Sequence, residues 1–241
     1  MTTEPLAGAP VQLVIFDLMG TLITDDGIVD RAYDAALAQA GIPSSDGRYE
    51  EMRDRVNKLR GRPTLVVLTE VLDDPIRAEE ATWAFDDSIL DAVPSLAPVD
   101  GADEVLFYLE SQHILSAVTT SFTPEVRRAV LQHCGWADTF AAALSPHGTR
   151  RGHPAPDLLL EAILALKIDS VAQVAIVGDS APDLEAGNRA GAGLVIGALN
   201  GGAPAGRLEA APHTHLIDSV AGLADVLERP RNQGARRTSD Q

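Results

Sequence analysis

The sequence predicts an α/β protein: a parallel sheet flanked by helices, with an all-helical block inserted after the first strand. Three observations predict it. Val11–Phe16 is almost continuously apolar, as a strand buried on both faces must be. Residues from about 28 to 90 carry only helical spacing. Beyond residue 98, short apolar runs alternate with helical patterns, the signature of right-handed βαβ units.

Each element has its own warrant. Residues 1–10 form a polar, proline-containing lead-in to the first strand, which runs into the turn Asp17-Leu18-Met19-Gly20. In the inserted block Ala32, Ala35, Ala36 and Leu37 recur at helical spacing up to Gly41-Ile42-Pro43. Further helices are expected at about 48–60, 63–72 and 77–92, each ended by Gly, Pro or an Asp pair. Strands resume at Ile114–Thr119, Val174–Gly178, Leu194–Ile196 and His215–Ile217. Helical patterns lie near 101–111, 124–134, 156–166, 182–190 and 219–228. The result is a Rossmann-like core of residues 1–21 plus 98–228, a helical subdomain of residues 22–97 and a disordered tail at 229–241. Linkers are expected near Leu22–Gly27 and Pro94–Asp100. The insertion would stand over the carboxyl ends of the strands, where open α/β sheets bind ligands.

Composition narrows the function classes. The 241 residues carry 19 Lys+Arg against 35 Asp+Glu, a formal charge of −16, which argues against nucleic acid and anionic membrane as partners. A small anionic metabolite must then be met by a local device such as a metal ion. The single cysteine, Cys134, excludes an intrachain disulfide, and the short apolar run before Asp17 is neither a signal peptide nor a membrane span. A cytoplasmic protein is expected, with a homodimer left open. Only Lys58 and Lys167 are lysines.

Asp17 and Asp179 follow two predicted strands, and Asp183 lies one helical turn after Asp179. Carboxylates at the ends of parallel strands converge, and a cluster of oxygen ligands suits a hard cation such as Mg²⁺. Left alone they would repel one another.

The surrounding residues resemble the four motifs of the haloacid dehalogenase superfamily. Phe16-Asp17-Leu18-Met19-Gly20-Thr21-Leu22 is similar to motif I and Val118-Thr119-Thr120-Ser121 to motif II. Gly152-His153-Pro154-Ala155-Pro156-Asp157 is similar to motif III, and the run Val177 to Gly191 to motif IV. The insertion corresponds to a C1-type cap, and the Gly152–Asp157 and Gly191–Gly201 stretches point to the phosphonatase-like branch. The resemblance implies Asp17 as nucleophile, forming an aspartyl intermediate that water hydrolyses. It implies Mg²⁺ held by Asp17, Asp179, Asp183 and the backbone carbonyl of Met19. Thr119 and the Thr120 amide would bind anionic oxygens.

Two departures bear on activity. Motif I has Met19 where the family's acid stands, so leaving-group protonation, typically worth ~10²–10⁴-fold, is lost. Met19 is expected at an exposed strand-end turn. Motif III has His153 as its cation, with Arg150 and Arg151 upstream as alternative sources of positive charge, Arg151 for phosphate. Lys58 reads as a surface lysine rather than an imine former, because Thr64 occupies the place where a lysine would be wanted. Arg53, Arg55, Arg60 and Arg62 give the cap either a cationic face or pairs with Glu50, Glu51 and Asp54. The expected function is Mg²⁺-dependent hydrolysis of a small phosphorylated or phosphonate metabolite. Displacement at carbon, as in dehalogenases, and a silent binding or regulatory relative are the alternatives.

Overall fold

The computed structural model describes residues 10–201 and 205–228. Its centre is strand β1 (Leu13–Phe16), whose four residues are all buried. Strands β2 (Leu115–Thr119), β3 (Ala142–Leu144), β4 (Val174–Gly178), β5 (Leu194–Ala198) and β6 (His215–Ile217) complete a six-stranded sheet of order β3-β2-β1-β4-β5-β6. Every neighbouring pair is parallel. The chain works outward from β1 to β3, then crosses back to β4 on the other side of β1. That reversal opens a crevice beyond the carboxyl ends of β1 and β4. Phe16 is in register with Val118 and with Val177, so residues 17, 119 and 178 stand level at its rim.

The expected strands and helices of the second half are all present, with ends shifted by a few residues. Helices α5 (Ala102–Ser111), α6 (Pro124–His133), α7 (Asp157–Ala165), α8 (Ala181–Ala190) and α10 (Leu223–Glu228) follow the apolar periodicity. Two elements were not expected: the half-buried edge strand β3 and the six-residue helix α9 (Ala205–Ala210). Both are too short to impose a period. Residues 1–9 of the lead-in and the tail expected over 229–241 lie outside the described residues.

The insertion is helical, as expected: α1 (Ile28–Gln39), α2 (Tyr49–Leu59), α3 (Thr64–Leu72) and α4 (Pro75–Ala92). Helix α4 starts two residues earlier than its periodicity suggests, because Asp74 accepts hydrogen bonds from the amides of Ile76 and Arg77 and Pro75 fits the first turn. The two connections to the sheet are hydrogen-bonded to each other, Thr24 N to Ala97 O at 3.0 Å and Val99 N to Leu22 O at 2.8 Å.

Cap and sheet share one hydrophobic cluster. Val14, Phe16 and Val118 of the strands belong to it together with Ala36, Leu68, Phe85 and Ile89 of the cap helices. Fully burying each such large side chain is worth ~1.5–3 kcal/mol. Polar ties add direction: Thr123 Oγ1 donates to Asp86 Oδ2 at 2.8 Å, and Arg207 Nη1 to Asn57 O at 2.7 Å. Gly61, between α2 and α3, has a φ of +90°, and a Cβ there would strike Ser180 and Pro182. The cap therefore touches the sheet domain through backbone at this point. No helix among the described residues is long and apolar enough to cross a membrane.

Asp86 carries the polar tie between α4 and α6 at a cost. Burial pushes its carboxyl up to about 6, against the pull of the Thr123 hydroxyl, and Glu125 and Asp87 add to the rise. Its Oδ1 is buried without a hydrogen-bond partner among the described residues. A carboxyl raised in the fold favours the folded state when protonated, so stability falls as pH climbs from the ordinary carboxylate range to about 6. Asp86→Asn should therefore raise the melting temperature by about 2–4 °C near neutral pH, and the gain should vanish by about pH 4. Thermal melts of both proteins across pH check this; a gain independent of pH would contradict the assignment.

Candidate active site

The register just described fixes the site. Asp17 is the first residue beyond β1 and donates its amide to Val177 O at 2.8 Å, locking it beside β4. Asp179 is the first residue beyond β4. Asp183 comes from the first turn of α8, where Ser180 and Asp183 form a reciprocal capping box. One ligand oxygen from each of the three carboxylates lies within 4.8 Å of the others.

These acids are strongly constrained. Asp183 Oδ2 accepts the Ser180 amide at 3.0 Å and the Ser180 hydroxyl at 2.6 Å. Its Oδ1 lies 2.6 Å from His153 Nδ1, so a carboxylate there takes the ring proton on Nδ1. Asp179 is enclosed by two glycines: a Cβ at Gly20 or at Gly201 would collide with its carboxylate. Gly20 has a φ of +90°, and its carbonyl accepts Asn200 Nδ2 at 3.0 Å, which ties the turn after β1 to the loop after β5. Burial, then the charges of Asp183 and Asp179, push the Asp17 carboxyl well above its ordinary range. Burial and Asp183 push Asp179 up to about 8, with the Arg60 guanidinium pulling the other way.

His153 is buried and joins two motifs. Beyond its contact with Asp183, its Nε2 lies 3.4 Å from Thr119 Oγ1. The structure thus brings together Asp17, Met19, Thr119, His153, Asp179 and Asp183. It does not bring Arg151 to them: that side chain is 72% exposed and forks onto Asp157 at 2.7 and 2.9 Å. Arg150 likewise turns away to Glu161. The Thr120 amide is already donated to Leu144 O at 3.2 Å, an edge-strand bond that the unrecognised β3 makes, so it does not point at an anion. Met19 is not at an exposed turn: it is 9% exposed and packs into the main hydrophobic cluster.

A cavity of about 640 Å³ lies over Asp17, between the strand ends and α1, α2 and α4. The cap arginines are paired, but with acids other than those expected. Arg53 binds Asp30 and Asp34; Arg60 binds Asp25 and Asp30; Arg62 reaches Glu70. Arg55 donates to a backbone carbonyl. Partial burial resists it, yet Arg53 and Arg60 hold the Asp30 carboxyl below its ordinary value. Lys58 is 64% exposed at the cavity rim and bonds Asp54 at 2.5 Å. Sequence reasoning missed Asp25, Tyr33, Phe85 and Phe122, all of which line the cavity. Asp25 and Tyr33 stand before and within a helix where no motif marks them. The Ser180-x-x-Asp183 capping box, by contrast, was a readable signal.

A parallel sheet with this crevice, three acids at its rim and a helical cap defines a phosphatase-like hydrolase class. The profile of the haloacid dehalogenase-like hydrolases matches residues 11–191, and the chain belongs to that family. It is 31% identical over 226 residues to "Probable phosphatase IndB" of Dickeya dadantii (strain 3937), covering 89% of this chain and 94% of that one. It is 26% identical to the phosphonoacetaldehyde hydrolase of Latilactobacillus sakei subsp. sakei, over 93% and 89% of the two chains. The bifunctional riboflavin kinase/FMN phosphatase of Arabidopsis thaliana is 26% identical over 76% of this chain, which spans about half (47%) of that protein's length. Among solved structures, a hydrolase from Pseudomonas syringae superposes with a TM-score of 0.78 at 22% identity, over 90% of this chain and 97% of that one. That last likeness is one of fold.

The donor set fits a hard divalent cation. It offers only oxygen ligands, two of its three acids are buried, and Asp17 and Asp179 are raised first by burial and then by like charge that a cation would relieve. Millimolar MgCl₂ should raise the melting temperature relative to EDTA by mass action. Asp179→Asn should abolish that gain. Without cation the variant should melt no lower than the parent, because it removes one of the repelling charges. A melting curve indifferent to both MgCl₂ and EDTA would contradict the site.

Proposed function

We propose that this chain is a Mg²⁺-dependent hydrolase of a small phosphorylated or phosphonate metabolite, acting through an aspartyl intermediate on Asp17. The observation that carries this reading is the convergence of Asp17, Asp179 and Asp183 beneath a cavity closed by the helical insertion. Residues 22–97 act as the lid and residues 1–21 plus 98–228 as the base, in a cytoplasmic protein.

A carboxylate oxygen of Asp17 attacks phosphorus, and the new O–P bond forms as the bond to the leaving group breaks, its electron pair departing with that group. Water then attacks the same phosphorus. The Asp17 O–P bond breaks, the carboxylate is regenerated and phosphate leaves with the water's oxygen and protons. Mg²⁺, held by Asp17, Asp179 and the Met19 carbonyl with Asp183 alongside, would neutralise the repulsion between nucleophile and phosphoryl group. The Thr119 hydroxyl has one proton, which it turns from His153 Nε2 to a phosphoryl oxygen when substrate binds. His153 is a positioning residue: it holds Asp183 through Nδ1 and Thr119 through Nε2. Closure of the cap excludes water from the reacting groups.

Met19 supplies no proton to the leaving group and no base for the second step. Its apolar packing also favours one other reading, a binding or regulatory relative without turnover. A phosphonate would need its own electron sink, since Lys58 sits at the rim in a salt bridge with Asp54. The measurement that separates these readings is turnover against leaving-group basicity. Acetyl phosphate and p-nitrophenyl phosphate should be hydrolysed far faster than glycerol or sugar phosphates, and an acid-stable quench should trap phosphorylated protein. Met19→Asp places a carboxyl among apolar neighbours, which raises its pKa toward that of a useful acid. The variant should melt lower than the parent and gain up to ~10²-fold on alkyl phosphates. No turnover of acetyl phosphate with MgCl₂ present would favour the silent relative.

A further inference from the structure

The cavity over Asp17 has an apolar inner wall and a charged rim. Met19 and Phe122 of the sheet domain, with Val29, Tyr33 and Phe85 of the cap, line it and belong to one hydrophobic cluster. The Tyr33 and Phe85 ring centroids are 4.7 Å apart and those of Phe85 and Phe122 6.0 Å apart, in tilted pairs that continue from cap to sheet domain. Cap charges facing the same space are spent on one another: Arg60 on Asp25 and Asp30, Lys58 on Asp54. Toward the rim the cavity also meets Asn57, Ser121 and Arg207, so the apolar stretch is confined to this inner wall, where a polar group would leave water for side chains of which only Tyr33 carries a hydroxyl.

We propose that the group released from phosphorus is a flat, uncharged apolar one, an aryl or enol oxygen, so that the natural substrate is an aryl- or enol-type phosphate ester. The inference rests on the phosphoryl-transfer reading of Asp17. Two separate observations meet in it. Position 19 offers no acid, which requires a leaving oxygen of low basicity, and the wall is apolar and aromatic, which suits the conjugated groups whose oxyanions are weakly basic. Asp17 oxygen bonds to phosphorus, the phosphorus–oxygen ester bond breaks, and the pair stays on the aryl or enol oxygen, which needs no proton to depart.

The experiment compares kcat/KM for phenyl phosphate, acetyl phosphate and glycerol 1-phosphate, and for two aryl phosphates of matched basicity bearing a para ethyl or a para hydroxymethyl group. Phenyl phosphate should exceed glycerol 1-phosphate by about 10²-fold, and the ethyl ester should exceed the hydroxymethyl ester by about tenfold. In Phe122→Ala and in Val29→Asn, one from each side of the wall, the phenyl-to-acetyl ratio should fall about tenfold through a rise in KM for phenyl phosphate. Acetyl phosphate turnover combined with equal rates for the ethyl and hydroxymethyl esters would overturn the inference and leave the phosphoryl-transfer reading standing. Absence of acetyl phosphate turnover would remove that reading and the inference with it. The wild-type comparisons need no variant, so poor folding of either substitution leaves the test intact.

Discussion

The site depends on one constraint: three carboxylates, two buried and one half-buried at the cavity floor, held within reach of one another. Burial and like charge both work against ionisation of Asp17 and Asp179, so the surrounding structure must hold the acids where they would not stay by themselves. The amide of Asp17 is fixed to β4, Asp179 is walled in by Gly20 and Gly201, and Asp183 is saturated by Ser180 and His153. The order of strands, the turns after β1 and β5 and the start of α8 all serve this placement.

His153 gains its meaning from that setting. A lysine in its place would bring a fixed charge; an imidazole instead offers two directional nitrogens, and the structure uses both. One reaches the acid on α8 and the other the hydroxyl at the end of β2, so the ring spans the crevice between the two halves of the sheet. The ring therefore supplies two fixed directions that an ammonium would not. Met19 has no ionisable group and packs into the main hydrophobic cluster.

The sheet, the helical insertion and the three acids were legible in the sequence because each rests on a local pattern: buried apolar runs, helical spacing, and acids placed directly after strands or one helical turn later. What was not legible is set by long-range pairing. Arg53 and Arg60 find Asp30, Asp34 and Asp25 across 19 to 35 positions of chain, whereas the nearby Glu50 and Glu51 are not their partners. Arg151 is close to motif III in sequence but is captured by Asp157 at the start of α7. The amide of Thr120 is consumed by β3, a three-residue strand without a readable period. The exposure expected for Met19 failed because the hydrophobic cluster it joins is assembled from residues far apart in the chain.

The aromatic row from Tyr33 through Phe85 to Phe122 crosses the boundary between cap and sheet domain. Any excursion of the cap that separates Phe85 from Phe122 hydrates ring surface that is dry in the closed state. Hydrating apolar surface raises heat capacity, and its driving force toward closure weakens on cooling. A cap that opened along this seam would acquire a curved temperature dependence, set by the ring area that Phe85 and Phe122 cover on each other.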